Sequence, residues 1–132
     1  VRGPMKEACV LDHPIPAYPG GDRVRAVTEF TPLGHFERWS LIKVRPLTGR
    51  LHQIRRHLKH LSHPIVGDVR YGKGEINRMF RESYGLHRLC LHAYKLTVNH
   101  PKHGFKLTVT AAPDDEFGQT LARMGLAVHE SN

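Results

Sequence analysis

Proline and glycine interrupt this chain so often that they limit its architecture before any other residue does: 12 Gly and 9 Pro stand among 132 residues. Helix interiors reject both, so a simple helical bundle is excluded. Without a repeat period they are too few for a collagen-like or low-complexity chain. Strands and turns are therefore expected to be plentiful. The length suits a single domain over residues 1–132, and 39% hydrophobic residues are enough to bury a core.

Pro4, Pro14, Pro16 and Pro19, followed by Gly20-Gly21, predict a connecting loop over residues 1–23, with the sheet and helices in residues 24–127. Val1-Arg2 before Gly3-Pro4 reads as the end of a strand, and with no initiator Met the expectation is a piece of a longer protein. Val24 to Thr31 and Phe36 to Arg45 are β-branched and aromatic, which predicts an antiparallel pair turning at Gly34, with Pro46 ending the second strand. Between Arg50 and Leu61 the apolar residues Leu51, Ile54, Leu58 and Leu61 fall at intervals of 3, 4 and 3, the spacing of a helix stripe, with Thr48 placed to cap it. Pro64 to Asp68 predicts a tight turn, and Ile76, Met79 and Phe80 a short helix ending at Gly85. Leu89 to Asn99 and Phe105 to Ala112 predict two strands around the loop His100 to Gly104. A last helix is expected from Asp114, with Phe117, Leu121 and Met124 on one face.

Lys and Arg number 20 against 12 Asp and Glu, a formal charge of +8, and the natural partner of such a surface is a polyanion. The charge is concentrated. The 30 residues from Arg38 to Gly67 hold seven Lys or Arg, four His and no acid. Lys43 and Arg45 share a strand face, Arg50 stands in the first turn of the expected helix, and with Arg56 and Lys59 they suit phosphate contacts. A solvated basic face would use the same residues.

Arg55 is different. On a helical wheel it lies about 80° from the centre of the apolar stripe, beside Leu51 and Leu58, whereas Arg56 points away into solvent. A guanidinium at the margin of a core requires a partner, and Arg favours a carboxylate held bidentately. An ordinary buried ion pair would meet that need, but the stretch from Arg38 to Gly67 supplies no acid.

His57, His60 and His63 raise a zinc reading. No Cys or acid lies beside them, no HExxH is present, and the wheel puts His57 and His60 on the exposed side, so a solvated or phosphate-contacting role is simpler. The sequence also lacks a P-loop, a GxGxxG and a nucleophile elbow. Cys9 and Cys90 cannot form a disulfide framework, and no apolar run approaches the roughly 20 residues of a membrane span. These features read as a reduced, soluble, cytoplasmic protein.

Several motifs in order resemble one family. Gly49-Arg50-Leu51-His52-Gln53-Ile54-Arg55, His63-Pro64-Ile65 before Gly67-Asp68, Tyr71-Gly72, Arg88-Leu89-Cys90-Leu91-His92-Ala93 and His100-Pro101 look like the C-terminal half of RluA-type pseudouridine synthases. The segment Arg55 to His60 with Ser62-His63-Pro64 is most similar to a tRNA-modifying branch of that family. The resemblance implies an α+β fold, a mixed, largely antiparallel β-sheet flanked by helices and loops. It implies an isomerase that converts a uridine to pseudouridine, with RNA, above all tRNA, as partner, no cofactor or metal, no membrane contact and a monomeric state. The family's nucleophile is an Asp within a His-Arg-Leu-Asp segment upstream of these motifs, and this chain has no such segment. Asp12 lacks the preceding His-Arg and follows the Val1-Arg2-Gly3 strand, so it is no substitute. The family's active-site Tyr would also precede Val1. Carried over by residue, Arg55 is the partner of the absent Asp and Ile54 the apolar residue beside the target base. The chain alone is then expected to be inactive. A free-standing, non-catalytic RNA-binding module and a His-rich metal protein are the alternatives.

Overall fold

The computed structural model describes residues 1–128. In chain order the elements are β1 (Cys9–Asp12), β2 (Ile15–Pro16), β3 (Arg23–Val24), β4 (Val27–Phe36), β5 (Trp39–Pro46), α1 (Gln53–His60), α2 (Gly74–Tyr84), β6 (Lys95–Asn99), β7 (Lys106–Thr110) and α3 (Glu116–Arg123). All strand pairs are antiparallel, in sheets ordered β1-β4-β5, β2-β3 and β6-β7. This is the expected α+β architecture.

The long pair β4–β5 is the spine, in register from Thr28↔Pro46 to Phe36↔Trp39. Its turn is at Glu37-Arg38 and not at Gly34, and Glu37 takes the left-handed backbone (φ 54) that closes it. Gly34 instead lies at a register shift after Pro32, where a bulge absorbs the missing proline amide and lets the strand continue. Residues 1–23 are likewise more than a loop. β1 pairs with β4 from Cys9↔Phe30 to Asp12↔Val27, β2 pairs with β3, and Arg2 bridges Trp39. The prolines are compatible because they stand at the ends or edges of short strands, where no ladder donor is lost.

Helix α1 begins at Gln53, three residues later than the apolar spacing suggests, and Leu51 is left exposed. Thr48 does not cap it. The Thr48 hydroxyl donates to Gln53 Oε1 at 2.7 Å, and the Arg50 amide donates to the same oxygen at 3.0 Å, so the loop closes on a side chain before the helix starts. α2 ends at Gly85 as expected, in a left-handed cap (φ 64). α3 is capped by Asp115, whose carboxylate accepts from the Phe117 amide at 3.1 Å. Leu89 to Tyr94 is irregular because Arg88 takes the carbonyls that a strand would need, Nε on Leu89 O at 2.9 Å and Nη2 on Leu91 O at 2.8 Å.

Two apolar clusters hold these parts together. Trp39, Val66, Phe80, Leu86 and Met124 form one; Phe30, Leu58 and Ile65 form the other; Cys90 packs against both. Burial pushes the Cys90 thiol up to about 12, so it stays protonated and inert. The β6–β7 hairpin is exposed throughout, with Leu96, Val98, Leu107 and Val109 open to solvent.

Candidate active site

The loop between β5 and α1 is positioned by the buried amide of Gln53. Its Nε2 donates to Val27 O and Thr28 Oγ1, both at 2.9 Å, while its Oε1 receives Thr48 and Arg50. Thr48 Oγ1 in turn accepts from the Val27 amide at 3.0 Å. The loop ends on His52, which holds a left-handed backbone (φ 51) at the helix N-terminus and bonds through Nδ1 to the Tyr71 hydroxyl at 3.0 Å.

Arg55 finds its carboxylate in Asp68, the first acid after the basic stretch. Nε donates to Oδ2 and Nη2 to Oδ1, both at 2.8 Å, a bidentate pair in which the Arg55 side chain is 18% exposed and that of Asp68 1%. The ordinary buried ion pair that the sequence allowed is thus present, and the partner lies one residue beyond the segment that lacks acids. Asp68 Oδ1 also accepts from the amides of Arg70 at 3.0 Å and Tyr71 at 2.9 Å. Burial acts to raise the carboxyl's titration, but the Arg55 guanidinium and these two amides outweigh it and hold Asp68 below the usual carboxylate value. The hydrogen bond to Asp68 correspondingly raises Arg55. The Tyr71 ring stacks on the same guanidinium, its centroid 5.1 Å from Arg55 Cζ.

The turn that carries Asp68 is itself fixed. Asn77 Oδ1 accepts from the Gly67 amide at 2.8 Å and its Nδ2 donates to Asp68 O at 3.0 Å. Gly67 is left-handed (φ 83), and a Cβ there would collide with the Arg88 carbonyl.

Beside the pair opens a cleft of about 380 Å³, walled by Ile54, Arg55, His52, Arg50, Leu89 and Leu91. Ile54 and the two leucines also pack on the Phe30 cluster, so the apolar wall continues the core. His52 is shifted to favour its neutral form, by desolvation and then by the nearby Arg55, Arg70 and Arg56 cations. The arrangement offers an apolar slot with one oriented cation at its side.

The other basic residues are distributed around this cleft. Lys43 and Arg45 are exposed on one face of β5, and Lys59 is exposed on α1. Arg50 is exposed, with Nε donating to Arg25 O at 2.8 Å. Arg56 is not the solvated charge that the wheel suggests: it is half-buried, and Nη1 donates to Pro16 O at 3.0 Å and Leu51 O at 3.2 Å, tying β2 to the helix. His57 is the larger correction. It is fully buried, with Nδ1 on Thr28 Oγ1 at 2.7 Å and Nε2 on His13 O at 2.9 Å. His60 stacks on His13 with ring centroids 3.8 Å apart, so His57 and His60 share His13 as a neighbour, whereas His63 bonds Arg2 O. Asp12 is exposed and paired with Arg25 at 3.4 Å.

Four residues of the quoted motifs, Gln53, His52, Asp68 and Tyr71, receive no role from the sequence and take one in the structure. For Asp68 a signal existed, since it is the first acid after an acid-free run that contains an arginine in need of one.

The sequence profile of the RNA pseudouridylate synthase family matches residues 12–60. The chain is similar to tRNA pseudouridine synthase C of Vibrio cholerae, 38% identical across 95% of this chain and 60% of the relative. It is similar also to tRNA pseudouridine synthase C of Salmonella typhimurium, 34% identical across 95% of this chain and 56% of the relative. Among solved structures it resembles human RNA pseudouridylate synthase domain containing 1, with a TM-score of 0.64 and 26% identity over 85% of this chain and 51% of that one. The chain thus spans somewhat more than half the length of these relatives.

Proposed function

The chain belongs to the RNA pseudouridylate synthase family, and on that premise we propose that it is the carboxy-terminal part of a catalytic domain that converts a uridine of tRNA to pseudouridine. The observation that carries this reading is Arg55, held at a fixed angle beside a slot lined by Ile54, Leu89 and Leu91. A pyrimidine needs an apolar wall, and a carboxylate nucleophile needs an oriented cation.

In this reading the uridine is flipped out of its helix, because neither the glycosidic bond nor C5 is accessible within the stack. Ile54 packs against the base. An Asp carboxylate outside residues 1–132 acts as nucleophile, and Arg55 holds it ionised and aligned. The C1′–N1 bond breaks, the base turns, a C5–C1′ bond forms and the C5 proton leaves to N1. Product and substrate are isomers, so the reaction consumes no oxidant, reductant or group donor. The exposed Lys43, Arg45, Arg50 and Lys59 contact phosphates around the slot, while Arg56 is engaged with Pro16 and Leu51 carbonyls. A cytoplasmic, monomeric enzyme is the setting that fits this substrate.

The contrast between two basic residues of α1 tests the reading in the complete protein that contains these residues. Arg55→Ala should abolish single-turnover pseudouridine formation with tRNA affinity little changed. Lys59→Ala, at an exposed position of the same helix, should weaken binding and leave chemistry at saturating enzyme nearly intact. If both variants lose affinity alike and keep the chemical step, Arg55 is one more phosphate contact and the reading fails.

A further inference from the structure

We propose that Asp68 is a positioning residue for the reaction, clamping one edge of the Arg55 guanidinium so that its other edge is presented to the reacting carboxylate. The proposal rests on the role given to Arg55 above and extends it to a residue that touches neither base nor nucleophile.

A guanidinium has five N–H donors in a plane, arranged as two usable forks. Asp68 takes the Nε–Nη2 fork. The Nη1 edge, with the second Nη2 hydrogen, is chemically complete for another bidentate carboxylate. A lone arginine at a cleft margin would sample many rotamers and meet a nucleophile by whichever nitrogen arrived first. One whose first fork is already occupied has a single edge left to offer.

The clamp is braced well beyond what charge neutralisation alone requires. Asp68 cannot swivel, because Oδ1 is shared by Arg55, the Arg70 amide and the Tyr71 amide. Its backbone cannot shift, because Asn77 grips the turn from both sides through Gly67 and Asp68. Arg55 is also stacked against Tyr71, whose hydroxyl is anchored to His52 at the start of the same helix. Helix, turn and loop are thus closed into one frame with the guanidinium at its centre, as a site that must hold a catalytic group to within a fraction of an ångström requires.

A double-mutant cycle in the complete protein decides the matter, read as single-turnover rate at saturating enzyme together with tRNA affinity. Asp68→Asn is expected to slow the chemical step about 100-fold, the cost of misplacing a catalytic group by roughly an ångström, with affinity unchanged. In an Arg55→Lys background the same substitution should cost little more, since an ammonium has no second edge for Asp68 to orient. An unchanged rate in Asp68→Asn, or an equal loss in both backgrounds, overturns the proposal, because a merely structural carboxylate would act independently of the group at position 55. Should Asp68→Asn fail to fold, Asp68→Glu keeps the charge but shifts the carboxylate by one methylene. A slowed rate in that folded variant supports the proposal and a native rate sinks it. If Arg55→Lys itself reacts at the native rate, the role of Arg55 is wrong and the proposal falls with it; if Arg55→Lys is slow while Asp68→Asn is not, only the proposal falls.

Discussion

Asp68 keeps its charge in near-complete burial because four N–H donors from three residues converge on it, and its titration should therefore be visible in the stability of the whole chain. Its folded value lies below the ordinary carboxylate one. The stabilisation is then fully present above about pH 4, the unfolded aspartate value, and is lost as pH falls through the lower folded value. Thermal melting followed from pH 6 downward should show this loss in the native chain. Asp68→Asn should be less stable at pH 6 by roughly 2–3 kcal/mol, a buried-pair loss discounted for the partial exposure of Arg55, and should decline less on acidification. Equal acid sensitivity in both would mean that other carboxylates dominate. At this scale the sequence disclosed the need of Arg55 but not the burial of His57. The wheel was centred with Leu51 in the stripe, whereas Leu51 stands outside the helix in an exposed loop. Replacing it by the buried Gln53 and His57 turns the apolar face by about 50° at 100° per residue, which moves His57 from a margin opposite Arg55 into the interior and leaves Arg55 to be covered by Asp68 and Tyr71. A polar residue satisfied by a strand hydroxyl and a distant carbonyl leaves no trace in a hydrophobic pattern.

Elements that end on glycine divide into two physical kinds, and α2 and the turn before it show one of each. Gly85 and Gly67 are both left-handed, but a Cβ at Gly85 meets nothing, while one at Gly67 strikes the Arg88 carbonyl. Gly85→Ala should cost about 1 kcal/mol, the backbone term alone. Gly67→Ala should cost several times more, about 3 kcal/mol or above, and should loosen Arg55, because the Asp68 turn cannot keep its place. Denaturant midpoints of the two variants give the comparison, and near-equal losses would show that the turn relaxes freely. The helix end at Gly85 and the partner strands of both hairpins are readable, and α3 is too, though it starts at Glu116 behind an Asp115 cap and not at Asp114, since caps and β-branched runs act locally. The strands within residues 1–23 are not: two- and four-residue strands take their stability from the neighbours they pair with, and prolines in the sequence conceal that pairing.

Across the molecule as a whole, the acid-free stretch from Arg38 to Gly67 carries the exposed bases Lys43, Arg45, Arg50 and Lys59 and all of the cleft's wall except Leu89 and Leu91. The 132 residues alone should therefore bind structured RNA weakly yet form no pseudouridine in unmodified tRNA, since the family's nucleophile segment is not among them. With about four phosphates engaged, log K should fall against log salt with a slope of roughly −3 to −4. A salt-independent affinity, or turnover that Asp12→Ala removes, would contradict this account. The buried polar bonds that join the sheet to α1 have a further consequence, which appears when they are followed as a direction of proton donation. The Val27 amide can only donate, to Thr48; Thr48 donates to Gln53; the Gln53 amide donates to Thr28; and the His13 carbonyl at the far end can only accept, from His57 Nε2. Because a carbonyl can only accept, His57 Nε2 carries the hydrogen that meets His13 O, and Nδ1 lies within hydrogen-bond distance of the Thr28 hydroxyl, which already accepts from Gln53. The relay thus ties β4, the loop after β5 and α1 to the segment before β2 with a backbone donor at one end and a backbone acceptor at the other, so cutting any one side chain out of it strands a buried polar neighbour.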